Sequence, residues 1–176
     1  MNIIEINTKQ LKECAKTLKC GDRVLLSGTV YTARDAAHAR IFKCIDNNTP
    51  LPFDLDGATI YYAGPTPTPK NMVIGSCGPT TSKRMDCYSP KLLDMGLTCM
   101  IGKGERNEEV INAIIRNSAV YLCAIGGAGA LAAKHITKCE VIAFDDLGCE
   151  SVKKLEFDRF PLTVAIDCSG NNIFNK

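Results

Sequence analysis

The chain has 176 residues, 45% of them hydrophobic and 23% charged, which is apolar material for one sizeable core and, with no shift of composition along it, for a single domain over residues 1–176. Its 21 Lys and Arg stand against 19 Asp and Glu, a net charge of +2, and no basic run lies beside aromatic residues, which excludes a nucleic-acid binder built on a basic stripe. The opening MNIIEINTKQLKEC reads as neither a secretory nor a transit signal, and the uncharged run Ala119–Ala133 falls short of the roughly 20 apolar residues of a membrane span, so a cytoplasmic protein with no membrane segment is expected.

In chain order, residues 2–6 alternate as a short strand, and Leu11, Cys14, Ala15 and Leu18 recur at helical spacing over Thr8–Lys19, with Asn7 or Thr8 as cap. Gly21 and Asp22 turn the chain into the strand RVLLSGTVYT, which feeds a helix over Ala33–Ile45 through a junction at Thr32–Asp35. The strand ATIYYAG follows, and Pro65, Pro67 and Pro69 then make a stiff extended connection. NMVIGS reads as a strand ending at Cys77, after which Gly78 and Pro79 look like the cap and first residue of a helix. The pattern continues with a short helix SPKLLDMG, a strand LTCMI, a helix NEEVINAIIRN, a strand AVYLCAI, a Gly-rich turn at 126–129, a helix ALAAKHI, and the strands EVIAF and LTVAID. Alternating strands and helices predict an α/β domain with a mostly parallel sheet.

The ten cysteines include no C-x-x-C, and the closest pair, Cys14 and Cys20, has five residues between. That spacing favours reduced thiols over a disulfide framework and gives no metal-ligand set within this chain.

Four segments could carry chemistry. In GSCGPTTSKRMD, residues 75–86, a helix opened by Pro79 would leave backbone N–H groups free for an anion and would place Thr80 and Arg84 on one face, four residues apart. Arg suits a carboxylate because its planar fork binds both oxygens. The plain structural alternative is a capped helix in which Arg84 pairs with Asp86 or a more distant acid. In SGTVYTARDAAHAR, Arg34 sits past a strand end, where ligands of α/β sheets bind, with Asp35 and His38 available to orient it. For His38 an ordinary amphipathic contact is the favoured reading. In MIGKGER, Lys103 lies between Gly102 and Gly104, placed either to approach a ligand or as a solvated turn residue. IGGAGALAAKHI lacks a complete G-x-G-x-x-G, so close packing is favoured there over a dinucleotide turn and the NAD-dependent dehydrogenase it would imply.

Taken together and in this order, SGTVYTARDAAHARI, YYAGPTP, GSCGPTTSKRMD, MIGKGER and IGGAGALAAKHI resemble the beta subunit of class I, iron–sulfur fumarate hydratases and the related L-tartrate dehydratases, over about residues 20–170. The resemblance implies a swivelling β/β/α domain that closes over a [4Fe-4S] cluster held by three cysteines of a separate alpha subunit, or of an N-terminal domain in one-chain relatives. It implies an alpha2beta2 assembly, with a homodimer as the arrangement open to the isolated chain. Carried over by motif, Arg34, Arg84 and Lys103 bind the carboxylates of a dicarboxylate substrate. Thr80 becomes the proposed base, and Arg84 also stabilises charge developing in the reaction. Cys77 is not a cluster ligand in that family. The implied activity is interconversion of fumarate and (S)-malate in company with the alpha subunit. The alternatives are conversion of L-tartrate to oxaloacetate and a non-catalytic carboxylate-binding module.

Overall fold

In the computed structural model, which describes residues 3–175, seven strands form one sheet in the order β1-β2-β3-β4-β5-β7-β6. The strands are β1 (Ile3–Asn7), β2 (Arg23–Thr32), β3 (Thr59–Tyr61), β4 (Cys99–Gly102), β5 (Val120–Cys123), β6 (Ile136–Ala143) and β7 (Val152–Ile166). Strands β1 to β5 pair in parallel, whereas β7 runs antiparallel to β2, β5 and β6. Because β7 pairs with both β2 and β5, the strands β2, β3, β4, β5 and β7 close on themselves. The helices are α1 (Leu11–Cys14), α2 (Asp35–Asp46), α3 (Ser89–Asp94), α4 (Glu108–Arg116) and α5 (Gly129–Ala133). None of the described helices is long and apolar enough to cross a membrane.

The short parallel strands are apolar on both faces, and their alternate residues feed two cores. Tyr61, Cys99, Ile101, Val120 and Leu122 point into one core, where they meet Leu155, Phe157, Phe160, Leu162 and Val164 of β7. Ile60, Tyr62, Met100 and Tyr121 point into the other, against Ala37 and Ile41 of α2, Leu92 and Leu93 of α3, and Val110, Ala113 and Ile114 of α4. Phe157 and Phe160 stack at 4.2 Å, and the edge of Tyr61 meets both rings. Each such fully buried large apolar side chain stabilises by about 1.5–3 kcal/mol relative to exposure. Helix α4 starts where expected because the Asn107 side chain accepts from the Val110 N–H (2.9 Å) and Glu108 and Glu109 occupy the positive end of its dipole.

Several expectations are corrected. The N-terminal helix is three short pieces, 3-10 turns at Thr8–Gln10 and Ala15–Thr17 flanking α1, entered through an Asn7–Gln10 capping box. Residue 2, part of the predicted first strand, lies outside the described residues. Residues 71–76 form no strand: Asn71 takes a left-handed φ of 65°, and the loop folds back so that Thr66 N–H donates to Ser76 O (3.0 Å) and Ser76 N–H to Thr66 Oγ1 (2.9 Å). The last strand begins at Val152, well before the expected Leu162, and its antiparallel pairing makes the sheet mixed. Pro161 is tolerated inside it because it falls between the stretch paired to β6 and the stretch paired to β5, so no ladder bond on that side is lost.

Candidate functional site

The carboxyl ends of β2, β3, β4 and β5 all open toward one surface, where the chain continues into Arg34, Gly64, Lys103 and the 126–129 turn respectively. The segment 76–84 is tied across these strand ends. Cys77 N–H donates to Gly129 O (3.1 Å), Thr80 N–H to Tyr62 O (2.7 Å), and Ser82 N–H to Lys103 O (3.0 Å). Lys103 N–H in return donates to Ser82 Oγ (3.0 Å), whose other neighbour is the Tyr121 hydroxyl at 2.8 Å. Gly102 and Gly129 are required by this closeness: a Cβ on Gly102 would stand 1.9 Å from Ser82 Oγ, and one on Gly129 would stand 2.9 Å from the backbone N of Gly78. Within the IGGAG segment, close packing is thus seen at Gly129, whereas Gly127 faces open space.

This tying overturns the helix expected at Pro79. Pro79 and Thr81 instead make single β-bridges to Ala63 and Lys103, and the only helical turn is the 3-10 segment Ser82–Met85. The amides of Cys77, Thr80 and Ser82 are already bonded to carbonyls, so they are not a free anion cradle. Thr80 and Arg84 accordingly do not share a helix face. The Thr80 hydroxyl is partly exposed and makes no hydrogen bond among the described residues.

Arg84 reaches away from Asp86, its near neighbour in sequence, and donates through Nε to Asp35 Oδ1 (3.0 Å), the first residue of α2. Asp35 thus serves Arg84 rather than Arg34. Arg34 occupies the N-cap position of α2 in extended conformation, with Nε 3.8 Å from Glu150 Oε1, an ion pair too long for a hydrogen bond. Its side chain lies over Gly64, where a Cβ would come 3.0 Å from Cδ and 3.1 Å from Nη1. In both arginines the Nε side faces a carboxylate of the protein, while the Nη atoms make no hydrogen bond among the described residues. Those Nη edges are the part of a guanidinium that takes a carboxylate bidentately. Lys103 extends beside Gly126, with Nζ 3.8 Å from where a Cβ there would sit. The two arginines are thus brought together through the start of α2, and Lys103 is bonded to the same 81–82 stretch that precedes Arg84.

Beneath this surface lies an ion pair that the sequence reading missed. Arg106, with no exposed side-chain surface, donates through Nε to Asp86 Oδ1 (2.6 Å) and through Nη2 to Ser89 Oγ (2.6 Å), and its guanidinium sits 5.3 Å from the Tyr62 ring centroid and 4.9 Å from that of Tyr121. Asp86 Oδ2 accepts the Asn107 N–H (2.8 Å). The pair therefore locks the end of the 82–85 turn to the start of α4. Both partners stood in the quoted motifs, yet nothing local joins residues 20 apart.

His38 is fully buried, stacked on Tyr88 (5.3 Å) and edge-on to Tyr62 (5.6 Å), and its Nδ1 lies 2.8 Å from Arg34 O. Burial pushes its pKa down to about 4, so the ring is neutral at neutral pH and Nδ1–H donates to that carbonyl. It is a core side chain supporting the backbone of Arg34, in line with the favoured reading. Cys77 is likewise buried, its thiol pushed up to about 12 by desolvation. A buried, protonated thiol is a poor metal ligand. Among the described residues no three His, Cys, Asp or Glu side chains gather as a metal site.

A sequence model of the family described as "Fumarase C-terminus" matches residues 1–176. The fold is a mixed α/β sheet, and the chain belongs to this fumarase C-terminal family. It is similar to "Fumarate hydratase 2" of Leishmania major, 41% identical over 158 residues that make up 89% of this chain and 28% of that protein. It is 38% identical to "Fumarate hydratase class I, aerobic" of Escherichia coli over 88% of this chain and 28% of that protein. A Methanocaldococcus jannaschii protein, provisionally named L(+)-tartrate dehydratase subunit beta, is 40% identical over 96% of this chain and 89% of its own length. The chain thus spans 28% of the fumarate hydratases it matches and most of the separate subunit.

Proposed function

We propose that this chain is the beta component of an iron–sulfur hydro-lyase interconverting fumarate and (S)-malate, active when joined to an alpha component that carries the [4Fe-4S] cluster. The observation that carries this reading is the pair of guanidinium Nη edges left without hydrogen bonds among the described residues, Arg34 past the end of β2 and Arg84 in the 82–85 turn, in a chain of the fumarase C-terminal family. Two carboxylates of one substrate match two guanidinium forks and an ammonium.

Arg34 and Arg84 would hold the substrate carboxylates, and Lys103 would add a third positive charge that stabilises negative charge growing on one of them as a proton leaves the neighbouring carbon. Thr80 is the proposed proton carrier. A threonine hydroxyl is a weak acid, so it serves only with cations close enough to stabilise its alkoxide or to support a relay, and its hydroxyl has no competing bond within the described residues. Asp35 would hold Arg84 in place through Nε while leaving the Nη edge for substrate. In this reading the cluster is assigned to the partner, and the role of this chain is binding, orientation and proton transfer.

A swivelling β/β/α domain closing over the partner is part of this reading, which the membership of the fumarase C-terminal family supports. A second reading, the beta subunit of an L-tartrate dehydratase, is favoured by the separate subunit from M. jannaschii, which this chain matches nearly end to end. Turnover of fumarate, (S)-malate and L-tartrate by the chain co-produced with its alpha partner separates the two. Tartrate turnover far above malate turnover would replace the first reading by the second. No complex and no turnover would leave a carboxylate-binding module.

A further inference from the structure

Lys153, on β7, is a buried cation that the sequence reading did not single out. Its Nζ donates among Ser151 Oγ (2.7 Å), Gly148 O (3.2 Å), Cys149 O (3.2 Å) and Ser151 O (3.4 Å). These acceptors lie on or just after the 3-10 segment Asp145–Glu150, which packs against α2. Gly148 bends inside that segment with φ 59° and ψ −118°, a conformation suited to glycine. The segment ends at Glu150, whose Oε1 accepts the Ala36 N–H (3.4 Å) at the start of α2 and lies 3.8 Å from Arg34 Nε. A second connection runs through the strands: Lys153 N–H donates to Thr32 Oγ1 (3.0 Å), two residues before Arg34.

We propose that Lys153 is a positioning residue for the carboxylate site, an internal strut that fixes the 145–150 segment so that Glu150 holds Arg34 and the first turn of α2 in place. Lys153 itself does not reach substrate; it acts through Glu150 and Thr32. A buried ammonium is costly unless acceptors surround it, and here backbone carbonyls and a hydroxyl do so. An apolar side chain of the same length would remove all four contacts, leaving Cys149 O without its donor while Gly148 O keeps the Ser151 N–H and Ser151 O the Thr32 hydroxyl, and would loosen the segment that carries Glu150. Arg34 would then bind substrate only after paying rotamer entropy that the strut has already removed, which weakens binding by up to about tenfold.

The inference rests on the dicarboxylate reading for its effect on binding, so the test has a readout that does not depend on it. In the full chain, amide-proton exchange at Ala36 reports whether Glu150 is docked, and NMR titration with (S)-malate reports the site. Lys153→Met is expected to remain folded by circular dichroism, to exchange at Ala36 at least about tenfold faster and to bind malate up to about tenfold more weakly, with Lys153→Arg recovering part of both. If Lys153→Met does not fold, Ser151→Ala, which removes the shortest contact of the lysine, decides the matter by the same two measurements with smaller changes. Unchanged exchange at Ala36 in a folded variant overturns the strut. If the wild-type chain joined to its alpha partner shows no malate binding while Ala36 exchange accelerates as expected in the variant, the strut stands and the dicarboxylate reading of the site falls.

Discussion

His38 should make the stability of this protein depend on pH in a range where few other groups titrate. The ring is fully buried among Tyr62, Tyr88 and the first turn of α2, and its pKa is lowered to about 4 chiefly by desolvation, with the Arg106 cation adding to this and Asp35 opposing it. In the unfolded chain the ordinary value is about 6.5. Between those values the unfolded state holds the proton and the folded state does not. The contribution of His38 is therefore fully present above about 6.5 and is lost as pH falls toward about 4. Going from pH 7 to pH 5 should lower the unfolding free energy by about 2 kcal/mol, and the full loss at lower pH should be about 3 kcal/mol. Asp94, Asp146 and Asp167 have lowered pKa values, but their contributions fall as pH drops from the ordinary carboxylate range toward the lowered values, which lies below the interval from pH 7 to pH 5. The assay is urea unfolding at both pH values for wild type and His38→Gln, a variant that keeps a donor for the Arg34 carbonyl. A wild-type stability that does not change over this interval, or a variant with the same pH slope as wild type, would refute the argument.

Three further outcomes are expected. Arg84→Lys keeps the charge but loses the Nε bond to Asp35 and the planar fork, so activity of the complex with its partner should drop at least about tenfold with little change in melting temperature; near-normal turnover would remove Arg84 from the site. Arg106→Met leaves the Asp86 carboxylate buried without its cation and should cost about 3–5 kcal/mol in chemical denaturation, far more than the exposed pair Lys12–Asp56 could contribute, and a loss under 1 kcal/mol would show that the buried pair is not what ties the 82–85 turn to α4. Gly102→Ala drives a methyl into Ser82 Oγ and the Tyr62 ring, so it should both destabilise the fold and displace Lys103; a crystal structure with Ser82 and Lys103 unmoved would contradict this.

The parts of the fold that were legible are those whose burial matches a period. β3, β4 and β5 are buried on both faces and read as apolar runs, and α2 and α4 carry clear helical periodicity. The first half of β7 was hidden because VKKLEFDRFP mixes charges and a proline into a strand whose buried residues alternate with exposed ones. NMVI misled for the opposite reason: Met72 and Val73 are apolar but lie exposed on a loop that folds back on Thr66. Arg34, Thr80, Arg84 and Lys103 could be singled out by residue type, by a strand end or neighbouring glycines and by the family motifs, but their geometry could not. Whether Pro79 opens a helix or bridges to Ala63 depends on acceptors that strands far along the chain supply. For the same reason the partner of Arg84 stayed open between Asp86 and a more distant acid; in the fold it is the distant Asp35, and Asp86 belongs to Arg106.

That exchange of partners bears on how the proposed site works. Asp86 takes the buried Arg106, which leaves Arg84 to Asp35 and Arg34 to Glu150, so each arginine at the surface enters the site with one carboxylate already behind it. Before substrate arrives, three cations face two anions there, an excess of one positive charge against a dicarboxylate carrying two negative ones. Part of the electrostatic attraction is therefore spent in orienting the guanidinium groups before substrate binds. The remaining binding energy must come from elsewhere, and in the proposed assembly that source is the open face of the partner. In that proposal the two arginines would select a substrate by the spacing of its carboxylates, and the alpha component would supply the rest of the binding.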